Sequence, residues 1–112
     1  MFNSIKRTIY LSGPITGIPN KNHELFMEVA GKLRFAGHTV MNPREFTWSQ
    51  DSFPKRQAFA EYCAFICNRA DTIVLLPGWK LSKGASCEAS LADNCGIAAY
   101  EWEAIKMEFT NV

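Results

Sequence analysis

The sequence predicts an α/β protein whose parallel sheet is covered by helices on both faces. Short runs rich in β-branched and aromatic residues alternate with longer segments of helical period along most of the chain. The best of these runs, Asp71-Thr72-Ile73-Val74-Leu75-Leu76, is apolar at successive positions, which suits a strand buried on both sides. Helical crossovers between successive strands make those strands parallel. In such sheets ligands bind at the C-terminal strand ends, where the strand order switches.

Each element has its own signal. Arg7–Ser12 reads as the first strand, closed by Gly13-Pro14 and followed by a loop of small residues to Asn20. A first helix is expected from Asn22, a good N-cap residue, with Leu25, Phe26, Val29, Ala30 and Leu33 on one face and Gly37 just past its end. His38–Asn42 is a short second strand stopped by Pro43, before a polar loop carrying Trp48 and Phe53. Pro54 suits the start of a second helix striped by Ala58, Phe59, Tyr62, Cys63, Ile66 and Ala70. After the third strand, Pro77-Gly78 makes a turn and Ser82 caps a third helix running to Cys95. Ile97–Tyr100 is a weak fourth strand, and Glu101–Phe109 a last short helix or an arm.

Size and charge bound the function. A chain of 112 residues is one domain, 1–112, with room for a real core. Its net charge of +1, with both signs interspersed, gives no basic stripe for duplex nucleic acid or a membrane surface. No apolar run approaches the roughly 20 residues of a membrane span, and no signal peptide is visible, so a cytoplasmic location is expected. Cys63, Cys67, Cys87 and Cys95 have neither C-x-x-C nor zinc-ligand spacing, and read as small buried residues in a reducing compartment. Neither a metal nor a cofactor is expected.

Two loops lie where a ligand should bind: Ser12–Asn20, and Pro77–Gly84 with its small-residue approach to a helix N-terminus, a ready anion site. The first is neither a phosphate-binding Walker loop nor a dinucleotide fingerprint, and read alone it is a phosphate or sugar contact or simply a turn. Glu88 is the conspicuous residue, an acid on the helix face shared with Ala85, Leu91 and Ala92, where acids seldom sit. A carboxylate beside an anion pocket can attack an electrophilic sugar carbon. Tyr10, ending the neighbouring strand, is either its hydrogen-bond partner or a core aromatic. Trp48 and Trp79 either cover a base by stacking or pack over the sheet edge. His23 and His38 read as surface residues outside any catalytic triad.

Together, Tyr10–Gly17, Asn42-Pro43, Ala70–Trp79 and Ser82-x-Gly84-Ala85-x-x-Glu88 resemble the nucleoside 2-deoxyribosyltransferase superfamily, over roughly residues 7–100. The likeness is to a short branch common in phage and prophage genomes, similar to nucleoside 5′-monophosphate N-glycosidases. It implies a flavodoxin-like three-layer fold with a parallel sheet of four to five strands. It further implies that Glu88 is the nucleophile at C1′ and that Tyr10 orients it. Ser12, Gly13, Pro14, Ile15, Thr16 and Gly17 would contact the substrate, with Gly78, Trp79, Ser82 and Gly84. Members are homo-oligomers and use neither metal nor cofactor.

Two positions depart from the family pattern. Transferases acting on free nucleosides carry an aspartate six residues before the nucleophile; here it is Ser82, as in the branch acting on 5′-monophosphates. A serine at a helix N-terminus welcomes a phosphate that an aspartate would repel, and Lys80 or Lys83 would add charge. Where the family places a base-side aspartate, this chain has Cys63. The expected activity is cleavage of the N-glycosidic bond of a nucleotide. The rival is a nucleotide-binding or sequestering protein on the same scaffold.

Overall fold

The structure, a computed structural model, describes residues 1–45 and 54–109. Trp48 and Phe53 lie outside the described residues. The chain runs β1 (Thr8–Ser12), α1 (His23–Phe35), β2 (Thr39–Met41), α2 (Lys55–Asn68), β3 (Thr72–Leu75), α3 (Lys83–Asn94), β4 (Ala98–Glu101) and α4 (Trp102–Ile105). A 3-10 turn, Lys106–Phe109, continues α4. The four strands form one parallel sheet in the order β2-β1-β3-β4, the order of a flavodoxin-like three-layer fold.

Alternation along the strands divides the core in two. Ile9, Leu11, Val40, Val74 and Leu76 pack with Phe26, Val29, Ala30 and Leu33 of α1, and Phe2, Trp102, Ile105 and Phe109 complete that layer. Tyr10, Met41, Ile73 and Leu75 pack with Ala58, Tyr62 and Ile66 of α2 and Ala92 of α3. Each large apolar side chain so buried contributes about 1.5–3 kcal/mol of transfer free energy. Glu108 ties the chain ends together by accepting the backbone N–H of Phe2 at 3.1 Å and of Asn3 at 3.2 Å.

Helix ends follow the sequence where the chemistry is local. Gly37, with φ +100°, closes α1 in the left-handed region that glycine favours. The Ser82 side chain caps α3 by accepting the Ala85 N–H at 3.2 Å. Asn22 departs from expectation: it is left-handed, its side chain caps nothing, and its amide donates instead to the Pro14 carbonyl at 3.0 Å.

Two expectations about exposure are corrected. His38 is buried, with Nδ1 accepting the Arg7 N–H at 3.1 Å and Nε2 lying 2.7 Å from Asn3 Oδ1. A strand-start position that looked open is covered because residues 2–4 form a turn beside it. The cysteines are not core residues: Cys67, Cys87 and Cys95 are exposed and Cys63 is half-buried. The buried stripe of α2 is the narrow Ala58-Tyr62-Ile66 row, which leaves Cys63 and Cys67 a step away from it.

Candidate functional site

The site begins where the two central strands end together. The Leu76 N–H donates to the Ser12 carbonyl at 2.8 Å, and a Cβ added at Gly13 would come within 2.7 Å of Leu76 Cβ. Only glycine lets the first loop leave β1 against β3 so closely. Tyr10 and Ser12, two apart on β1, face the same side of the sheet, toward the helix layer that holds α3. On that helix Ala85, Glu88 and Ala92 form the buried row. Cap and period thus deliver the Glu88 carboxylate onto β1. Tyr10 Oη donates to Glu88 Oε2 at 2.9 Å, and Ser12 Oγ donates to Oε1 at 2.6 Å. All three residues are buried.

Burial sets the electrostatics. It pushes the Glu88 carboxyl up to about 7, although the hydrogen bonds from Ser12 and Tyr10 pull the other way. The Tyr10 phenol rises well above its ordinary value, through its burial and then the neighbouring Glu88 charge. Tyr10 therefore keeps its proton and acts as a donor. The carboxylate it holds is only partly ionised near neutral pH and is oriented through both oxygens. Such a group can serve as a nucleophile or exchange a proton.

Glu88 opens onto a cavity of about 530 Å³. Tyr10, Ser12, Gly13, Ile15, Thr16, Gly17, Ser82 and Gly84 line it as well. A Cβ added at Gly84 would meet open space, so the helix N-terminus is bare toward the cavity. Three of the expected residues lie elsewhere. Pro14 and Gly78 meet across the two loops, the Pro14 ring standing 3.4 Å from a Cβ built on Gly78. Trp79 packs on the α2–α3 side of the core and donates from Nε1 to Glu101 at 3.4 Å. Lys80 and Lys83 are exposed and do not line the cavity.

The positive charge comes from residues that sequence reasoning missed. Lys21, Arg44, Lys55 and Arg56 line the cavity with Phe59 and Tyr62. Their signal was positional: Arg44 follows β2 and Lys55 opens α2, both at the C-terminal edge of the sheet. Glu88 is the one carboxylate among the described lining residues. Burial, then Glu88, pushes the Tyr62 phenol up to about 12. Cys63 does not line the cavity, and burial pushes its thiol up to about 11. Among the described residues no group of three His, Cys, Asp or Glu side chains is placed to hold a metal, and no helix is long and apolar enough to cross a membrane.

The fold is thus a parallel α/β domain with a buried, hydroxyl-held carboxylate at a cavity over its switch point. The chain belongs to the DUF4406 family, described as a domain of unknown function, whose model matches residues 7–100. No curated protein matches it.

Proposed function

We propose that the protein is an N-glycosidase of the nucleoside 2-deoxyribosyltransferase type, acting on a nucleoside or deoxynucleoside 5′-monophosphate. The observation that carries this reading is the Glu88 carboxylate, buried yet open to a cavity and held by donors on both oxygens. Glu88 attacks C1′ and forms a glycosyl ester, which water hydrolyses to release the sugar phosphate. Tyr10 and Ser12 fix its orientation. Ser82 and the bare N-terminus at Gly84 receive the phosphate, and the loop from Gly13 to Gly17 lies against the sugar. A second base in place of water would make the reaction an exchange. Exposed Phe35 and Leu81 suit association of copies into the homo-oligomer that the resemblance implies.

The test is a chromatographic product assay. Wild type and Glu88→Ala are incubated with each ribo- and deoxyribonucleoside 5′-monophosphate, with and without a free acceptor base. Free base released by wild type alone supports the glycosidase, and a new nucleotide makes it a transferase. Nucleotide binding that raises the melting temperature without any product would replace the enzyme with a binding protein.

A further inference from the structure

Resting on that reading, we infer that the nucleobase departs as an anion held by the cationic wall of the cavity, so that the favoured substrates are nucleotides whose base carries an acidic glycosidic N–H. The sheet order β2-β1-β3 sets the carboxylate of Glu88, bonded to Tyr10 and Ser12 of β1, between two flanks. Beyond β3 stand Ser82 and Gly84, which bring hydroxyl and backbone donors but no charge. Beyond β2 stands Arg44, Lys55 and Arg56 continue the wall from the first turn of α2, and Lys21 adds a fourth cation to the lining from the loop after β1. A phosphate seated at the α3 N-terminus with C1′ at Glu88 leaves the base on this second, positive flank.

Among the described lining residues that flank offers positive charge but no carboxylic acid to protonate the base, and Lys55, which alone of its three cations has a proton to lose, is exposed to solvent. The hydroxyls of Tyr10 and Ser12 are committed to Glu88. The guanidinium groups of Arg44 and Arg56 do not deprotonate. Tyr62, held at about 12, binds its proton too tightly to protonate a departing base efficiently. What remains is electrostatic stabilisation of developing negative charge in a partly desolvated site. In the step, a Glu88 oxygen bonds to C1′ while the C1′–N bond breaks, and its electron pair stays on the base nitrogen beside the cations. Water then cleaves the glycosyl ester, restores the carboxylate and supplies the proton that the base takes up.

The experiment measures kcat and KM of wild type on 2′-deoxyuridine 5′-monophosphate and on its 5-fluoro and 5-methyl analogues, which differ little in shape but clearly in N–H acidity. If pyrimidines are refused, xanthine, hypoxanthine and adenine nucleotides make the same comparison. The expected result is that kcat follows leaving-group acidity, with on the order of tenfold between the ends of the series. Lys55→Gln with Arg56→Gln should lower kcat across the series on the order of tenfold while KM changes little; both side chains are exposed, so the fold tolerates the change. Equal rates across the series would overturn the inference, as would a double variant that raises KM alone, since the cations would then hold the phosphate. If wild type releases no base from any nucleotide, the glycosidase reading fails and this inference falls with it.

Discussion

Tyr10 and Glu88 are 78 residues apart in the chain, yet the phenol donates to the carboxylate at 2.9 Å. Both groups hold their protons more tightly than they would in water. The site holds one shared arrangement in which the tyrosine supplies the proton of the hydrogen bond and the glutamate, at about 7, titrates.

The first prediction follows from that titration. The Glu88 carboxyl is raised from 4.5 to about 7, so the native state holds its proton through a range where the unfolded chain has lost it. Its stabilising contribution is complete below 4.5 and is lost as pH rises through about 7, a difference on the order of 3 kcal/mol. Urea unfolding followed across this window should show stability falling in wild type, and falling less in Glu88→Gln. Parallel curves would show that Glu88 is not buried as described. Activity should run the opposite way, rising with pH as the nucleophile ionises.

Tyr10→Phe removes a donor from that carboxylate. Without this bond the ionised form loses support, so the Glu88 pKa rises further and the pH–rate profile moves to higher pH. The loss of one hydrogen bond to a charged group should cost about 1.5–3 kcal/mol at pH values where Glu88 is ionised. A profile that keeps its midpoint would separate Tyr10 from the titration.

Much of this was readable beforehand, for identifiable reasons. Ser82 as a cap and Glu88 on the buried row follow from spacing within one helix, which local geometry fixes. The Thr72–Leu76 run is recognisable as a strand buried on both faces because Ile73 through Leu76 are apolar without a break. Arg44, Lys55 and Arg56 could not be placed from spacing, since they join the cavity only through the crossover from β2 to β3. The cysteines depart from the buried places expected of them because a helix turns by about 100° per residue, so one step from a buried row can be solvent. Trp79 sits in a loop of suitable position but points its indole at Glu101.

Ser82→Asp separates capping from ligand charge. Aspartate is as good an N-cap as serine, so the melting temperature should hold within the error of a small surface change. Binding of a 5′-monophosphate should weaken by about tenfold or more, while a free nucleoside is little affected. Equal effects on both ligands would move the phosphate away from Ser82.

Gly84→Ala makes a related point through shape. The added methyl meets open space in the chain itself, so the fold should gain about 0.5–1 kcal/mol from a better helix former. Ligand affinity should nonetheless fall, because the methyl occupies the approach to the helix N-terminus. Calorimetric unfolding and nucleotide titration of the same variant give both numbers.

Gly13→Ala should damage the fold itself. Its Cβ would stand 2.7 Å from the Cβ of buried Leu76, a contact between two backbone-fixed atoms that no rotamer change relieves. A loss on the order of 1–3 kcal/mol is expected in urea unfolding. An unchanged midpoint would mean that the strand ends are further apart than described.

The parallel sheet also governs how the chain reaches its native state. Among the described residues it has no hairpin: β1 pairs with β2 through Ile9 and Val40, and with β3 through Ile9 and Thr72. Every strand pairing therefore waits on a crossover, and such long-range closures make folding slow relative to a local topology of equal stability. During synthesis Ile9, Tyr10 and Leu11 emerge early but gain their inner neighbour only once Thr72–Leu75 has been made. Until then β2 can cover only one edge of the first strand, and its inner edge stays unpaired, the state in which chains associate wrongly. Mutations that slow α2 or β3 should thus reduce the yield of native protein before they change its measured stability.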